Sequence, residues 1–197
     1  YTISRNYVCG NFSQGDGGGI GHFGLSNNGR IEYNKIVFNQ GFEQTPASGG
    51  AGGGILIAGL PQPVGAAVPQ SAGAGNVAIV GNLIQGNNAG SGDGGGISLR
   101  YINGQDVLAS PTSSLTWYGI NVLNNLIVNN VTGLAGGGIA MQDAAKVNII
   151  NNTISNNDST ATAGAAFTFG VPDHSNPQPA GIVSRYHSDA LRNAMGA

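Results

Sequence analysis

The sequence predicts an all-β chain wound as a solenoid of about five coils of 27–28 residues. Three observations carry that expectation. Two short motifs alternate along the 197 residues, each occurring five times. The segments beside them alternate apolar and polar residues with period two, the mark of strands. The composition is also extreme, with 35 Gly and 23 Asn against 7 Lys+Arg and 9 Asp+Glu.

That composition excludes several classes. A net charge of −2, with Lys35 and Lys146 the only lysines, gives no electrostatic footprint for nucleic acid or an anionic membrane. Gly without a three-residue period, beside only 8 Pro, is not collagen. Hydrophobic content of 40% suffices for a core, so wholesale disorder is not expected. No apolar run approaches the ~18 residues that span a bilayer, so no membrane insertion is expected. A single cysteine, Cys9, has no internal disulfide partner. A small buried apolar role is favoured for it over a reactive thiol.

The first motif, Asn-x-Ile/Val-x-x-Asn, occurs at Asn6–Asn11, Asn34–Asn39, Asn82–Asn87, Asn125–Asn130 and Asn152–Asn157. The second, Gly-Gly-Gly-Ile, occurs at Gly17–Ile20, Gly52–Ile55, Gly94–Ile97 and Gly136–Ile139, and in degenerate form at Pro179–Ile182. First-Asn spacings are 28, 48, 43 and 27, so the middle two coils carry insertions. Insertions are placed near 58–75, 103–116 and 158–178, where Pro, Ala, Ser and Thr collect, and each reads as a projecting loop.

Each coil supplies strands in a fixed order. Arg30–Tyr33, Asn76–Val80, Gly119–Leu123 and Lys146–Ile150 lead into the Asn motif. A further strand follows each triple Gly, with inward positions at Ile20/His22, Ile55/Ile57, Ile97/Leu99, Ile139/Met141 and Ile182/Ser184. Strands of three to five residues joined by tight bends stack coil on coil at ~4.8 Å. Asn and Gly suit the bends because both tolerate left-handed backbone. Stacked Asn amides would form ladders, a reading favoured over sugar or ice binding. The sequons Asn130-Val131-Thr132 and Asn157-Asp158-Ser159 use ladder asparagines, so their side chains are expected inside.

These paired motifs resemble the repeats of the pectin-lyase-like superfamily over Tyr1 to about Ile182. The resemblance implies a right-handed single-stranded parallel β-helix over residues 1–187, with 188–197 a tail or short helix. The superfamily contains polysaccharide lyases, glycoside hydrolases, adhesins and tailspikes, and fold does not fix function. The Gly-rich, Lys-poor style is similar to long bacterial secreted repeat proteins, which implies an extracellular or cell-surface location.

Candidate chemistry is sparse. Asp16 and Asp93 share a repeat position two coils apart, ~9.6 Å at ~4.8 Å per coil, near the upper limit for an inverting carboxylate pair. Turn formation beside Gly is the favoured alternative. Arg100 and Arg185 share an outward position with Asp143 on the coil between, so an Arg100–Asp143–Arg185 ladder is expected, as a lyase-like site or, preferably, a surface ion-pair stack. His22, His174 and His187 lack metal-ligand spacing, no acidic cluster suggests Ca²⁺, and neither a metal nor a cofactor is expected. Trp117, Tyr118, Phe167 and Phe169 in the insertions are candidate binding aromatics, or seals holding the loops to the coil.

The chain opens directly in a strand, which predicts a piece of a longer protein with further coils, or another subunit, at its N-terminal end. The leading expectation is a non-catalytic scaffold and interaction module. The alternatives are a polysaccharide lyase or glycoside hydrolase, and a module that binds glycan or protein through its aromatic loops, with polysaccharide as the further candidate partner.

Overall fold

The computed structural model describes residues 1–42 and 50–196. It is an all-β structure dominated by three five-stranded parallel sheets. The first sheet holds Thr2–Ser4, Gly29–Glu32, Val77–Val80, Ile120–Leu123 and Val147–Ile150. The second holds Tyr7–Cys9, Lys35–Val37, Leu83–Gln85, Leu126–Val128 and Thr153–Ser155. The third holds Ile20–Phe23, Ile55–Ala58, Ile97–Arg100, Ile139–Gln142 and Ile182–Ser184. The chain therefore visits the three sheets in the same order five times, and each pass is one sequence repeat.

Register follows the repeat. Ile3, Ile31, Ile79, Val122 and Ile149 lie side by side in the first sheet. Val8, Ile36, Ile84, Ile127 and Ile154 do so in the second. Ile20, Ile55, Ile97, Ile139 and Ile182 do so in the third. Residues from all three sheets meet in one apolar cluster, in which Ile31, Ile36, Ile55, Ile79, Ile84 and Ile97 are completely buried. Burying one such side chain contributes about 1.5–3 kcal/mol, so these stacks hold the repeats together.

Single left-handed residues make the bends between the sheets. Arg5, Tyr33, Gly81, Asn124 and Asn151 precede the first Asn of each motif, and Gly10, Phe38, Gly86, Asn129 and Asn156 precede the second, all with positive φ. The triple glycines have a steric cause. A Cβ on Gly53 would lie 2.4 Å from the Asn88 carbonyl carbon, and one on Gly54 would lie 2.6 Å from the Gly96 oxygen. Backbone of adjacent repeats approaches too closely there for any side chain.

The Asn ladders are present. In the first, the Asn6 backbone N–H and Nδ2 both donate to Asn34 Oδ1, at 2.9 and 3.1 Å. Asn34 does the same to Asn82, Asn82 to Asn125 and Asn125 to Asn152. Asn11, Asn39, Asn87, Asn130 and Asn157 form the second in the same direction. Asn130 and Asn157 are buried, as their place in the ladder requires, so neither sequon presents its amide to solvent.

The first insertion is irregular chain, as expected, but the second and third contain regular elements. The second contains a helix, Gln105–Ala109, where only irregular chain was expected. In the third, Asp158–Ser159 still pairs with Val131–Thr132, so the repeat continues into it; a 3₁₀ turn at Gly164–Ala166 and an antiparallel hairpin of Phe167–Thr168 with Val171–Ser175 follow. The expected C-terminal helix spans Asp189–Met195, capped by Ser188 Oγ accepting from the Leu191 N–H. Its Leu191 and Ala194 pack with Val107 and Trp117, so it docks on the second insertion. Position 197 lies outside the described residues.

Candidate functional site on the third sheet and its insertions

Strand alternation sends Ile97 and Leu99 into the core and Ser98 and Arg100 to the opposite face of the third sheet. There Asp93 is the centre of the charged residues. It is 5% exposed, and its carboxylate takes a forked contact from Arg185, Nε to Oδ2 at 3.0 Å and Nη2 to Oδ1 at 2.8 Å. Arg100 Nη2 stands 3.7 Å from Oδ2, and the Ala135 backbone N–H donates to Oδ1 at 3.0 Å. A buried carboxylate is tolerable only when paired and hydrogen-bonded, and this one has both. Ser98 Oγ, fully buried beside the cluster, has no hydrogen-bond partner among the described residues.

Asp16 occupies the equivalent position and repeats part of that arrangement, its Oδ1 accepting from the Ala51 N–H at 2.7 Å. Both acids thus tie one repeat to the backbone of the next. Both oxygens of Asp93 accept hydrogen bonds from its own neighbours.

The expected Arg100–Asp143–Arg185 ladder is corrected: the acid between the arginines is Asp93. Asp143 sits at a left-handed bend with φ 51°, which turns its side chain away from the arginines. Its Oδ1 accepts the Ser188 N–H at 2.6 Å and lies 3.8 Å from His187 Nδ1, so it anchors the C-terminal segment. Asp143 also lines a cavity of about 160 Å³ with Gln70, Tyr101, Asn103, Pro61 and Leu191. Within its wall, Gln70 Oε1 is buried and accepts from no described donor.

The candidate aromatics separate into two groups. Trp117 is half-buried, its Nε1–H donating to the Ser110 carbonyl at 2.8 Å and its ring packing on the C-terminal helix. Tyr118 is likewise half-buried, with its backbone N–H on Asp106. Trp117 thus joins the second insertion to the C-terminal helix. Phe167 begins the hairpin, and Phe169 at its tip is fully exposed. The ring pairs among the described residues lie elsewhere: Tyr1 with His22, and Phe12 with Phe42 at 6.2 Å.

Two further expectations resolve. The expectation of a buried Cys9 is corrected: it is exposed on the second sheet, because the alternation that sends Val8 inward sends its neighbours outward. Its presence beside Tyr7 raises the Tyr7 hydroxyl above its ordinary value, chiefly through their side-chain hydrogen bond. His22 is buried at its stacking position between Tyr1 Oη at 2.6 Å and the Gly24 carbonyl at 2.8 Å. Among the described residues, no group of three or more His, Cys, Asp or Glu is placed to hold a metal ion, and no helix is long and apolar enough to cross a membrane.

Sequence reasoning missed the exposed aromatics at the bends. Tyr33 and Phe38 adopt left-handed backbone and lie over glycines of the next repeat; a Cβ on Gly81 would meet the Tyr33 ring at 2.7 Å. The signal was their position, one residue before a motif Asn, where Gly or Asn stands in most other repeats. No protein family, no curated protein and no solved structure matches the chain.

Proposed function

We propose that the chain is a non-catalytic scaffold and interaction module of a larger extracellular or cell-surface bacterial protein, built as a right-handed single-stranded parallel β-helix. Five passes through three parallel sheets around one shared apolar cluster support the winding. Right-handedness is supported by the strong bias of parallel strand connections. The resemblance of the repeats to bacterial secreted proteins supports the location.

The observation that carries the non-catalytic reading is the commitment of Asp93 to Arg185 and to the Ala135 N–H. An enzyme needs acids and bases converging on open space, and here the leading acid is consumed in binding its own neighbours. A screen of acidic and neutral polysaccharides for new reducing ends or unsaturated products tests this. No product is expected from the native chain or from Asp93→Ala. Product from the native chain that disappears in the variant would overturn the reading.

Glycan binding is the second reading, favoured by one observation. A groove of about 560 Å³, lined by Phe42, Asn88, Gly90, Val131, Thr160 and Thr162, adjoins the Phe12–Phe42 ring pair. Affinity electrophoresis in polysaccharide gels tests it: retardation lost in Phe42→Ala supports binding, and equal mobility of both proteins in every gel counts against it.

A further inference from the structure

Two buried carboxylates in this molecule are partnered unequally. Asp93 and Asp143 are 5% and 3% exposed, and each accepts a backbone N–H. Asp93 also faces two guanidinium groups, Arg185 at 2.8 Å and Arg100 at 3.7 Å. Asp143 pairs with no Lys or Arg among the described residues. His187 Nδ1 stands 3.8 Å from its Oδ1, outside hydrogen-bond reach, and is itself buried with no partner among the described residues. Asp143 Oδ2 accepts from no described donor. A buried carboxylate is costly unless a hydrogen-bonded cation faces it, and around Asp143 that cation is missing.

Gln70 has the matching deficit. It is 8% exposed, its Nε2 donates to the Ala190 carbonyl at 3.1 Å, and its Oε1 accepts from no described donor. Both residues border the cavity of about 160 Å³. Asn103, in the same wall, does not supply the donor, because its Nδ2 is given to Asp106 and to the Tyr118 carbonyl. The walls are fixed against one another. The Gln105 N–H donates to the Ser71 carbonyl at 2.8 Å, and a Cβ on Gly104 would collide with that oxygen. The space is therefore preformed where the first and second insertions meet Asp143 and the C-terminal helix. Pro61, Pro69 and Leu191 supply its apolar lining.

We propose that this cavity binds a primary alkylammonium ion, whose head donates to Asp143 Oδ2 and Gln70 Oε1 while its stem lies along Pro61, Pro69 and Leu191. An ammonium group carries three donors and no acceptor, which matches a wall of unpartnered acceptors. The size agrees as well. A dry cavity of about 150 Å³ holds one benzene molecule, so about six heavy atoms fit here. A divalent metal fits poorly, since among the described residues no three His, Cys, Asp or Glu converge. The site is separate from the Asp93 cluster and from the groove beside Phe42, and it depends on neither reading of function given above.

n-Butylammonium chloride titrated into the full chain, followed by calorimetry and by NMR of the amides, tests this. Saturable binding is expected, with shifts centred on the Gln70 side-chain amide and the Ser188 N–H. n-Butanol keeps the stem without the charge, and tetramethylammonium keeps the charge without N–H donors. Both are expected to bind at least about tenfold more weakly. Asp143→Asn still accepts the Ser188 N–H, and Gln70→Met removes the amide oxygen at similar length. Each is expected to weaken butylammonium binding by at least about tenfold. A lysine side chain of another protein presents the same head and stem as a free amine. An acetylated Gly-Lys-Gly amide that binds more tightly than butylammonium identifies the protein source, and one that binds more weakly identifies the free amine. Absence of saturable binding, equal affinity for the three probes, or full affinity in either variant overturns the proposal. Should a variant lose its strand signature in circular dichroism, the three-probe comparison on the native chain decides alone.

Discussion

Asn87 shows what one ladder residue does. It is fully buried; its Nδ2 donates to the Ile36 carbonyl and to Asn130 Oδ1, and its Oδ1 accepts from both nitrogens of Asn39. Truncation leaves several of these groups without partners in a dry interior, at about 1–3 kcal/mol for each unsatisfied group. Asn87→Ala is therefore expected to cost at least about 3 kcal/mol in urea unfolding. Asn6→Ala, at an exposed end where water replaces the lost partner, is expected to cost no more than about 1 kcal/mol. Equal losses at the two positions would show that the ladder is not what couples the repeats. Tyr1 gives a pH prediction at the same scale. Burial raises its hydroxyl above the ordinary value of 10.0, so the unfolded chain ionises first. Its contribution is then complete below pH 10 and is lost as pH rises from there through the folded value. Thermal melts of the native chain and Tyr1→Phe are expected to run parallel below that pH and to converge above it, because the phenylalanine has no proton to lose.

At the scale of elements, strand placement was readable because each inward position repeats and most bends carry Gly or Asn, which take positive φ readily. The period-two pattern of Val77–Val80 and Ile120–Leu123 and the motif spacing located the strands of the first and third sheets almost residue by residue. The helix at Gln105–Ala109 was not readable. Five residues show too little periodicity, and it forms because Val107 is completely buried against Leu191 and Ala194, which lie over 80 residues away in sequence. The Asp93–Arg185 pair was half legible. The sequence placed Arg100 and Arg185 at one position, but which acid reached them depended on Asp143 taking left-handed backbone. Removing one partner of a buried ion pair leaves an uncompensated charge, which costs about 3–5 kcal/mol in general. Arg100 stands close enough to take over part of that role, so Arg185→Ala is expected at the low end, about 3 kcal/mol by chemical denaturation. Asp93→Asn with Arg185→Ala removes charge and partner together and is expected to recover part of the loss. A double variant no more stable than Arg185→Ala would mean that the arginine acts through packing rather than charge.

For the molecule as a whole, the consequence of stacking is that stability is nearest-neighbour in kind. Apart from the Arg185–Asp93 pair and the Gln70–Ala190 bond, which reach past a neighbour, each repeat is joined to the one before and the one after through sheet pairing, the two Asn ladders and the apolar stacks, so the three inner repeats have two neighbours and the outer two have one. The burial gradient follows: Ile79 and Ile84 in the third repeat are completely covered, whereas Ile3, Val8, Ile149 and Ile154 are not. Opening an end repeat breaks one interface, and opening a middle repeat breaks two or requires everything beyond it to open first. Native-state hydrogen exchange on dilute protein should therefore show a profile graded along the sequence, with amides of Val77–Val80 and Leu83–Gln85 near the global unfolding free energy and those of Thr2–Ser4 and Thr153–Ser155 well below it. The gradient is not expected to be symmetric. Trp117, Val107 and the helix Asp189–Met195 brace the fourth and fifth repeats from the side through the Ser188–Asp143 bond, and nothing comparable braces the first repeat among the described residues. The first repeat should exchange fastest, and Asp143→Ala, which releases the C-terminal segment, should bring the fifth repeat closer to it while leaving the middle unchanged. A flat profile would mean that the chain unfolds as one cooperative block, in which case the pairwise interfaces described above do not set its stability.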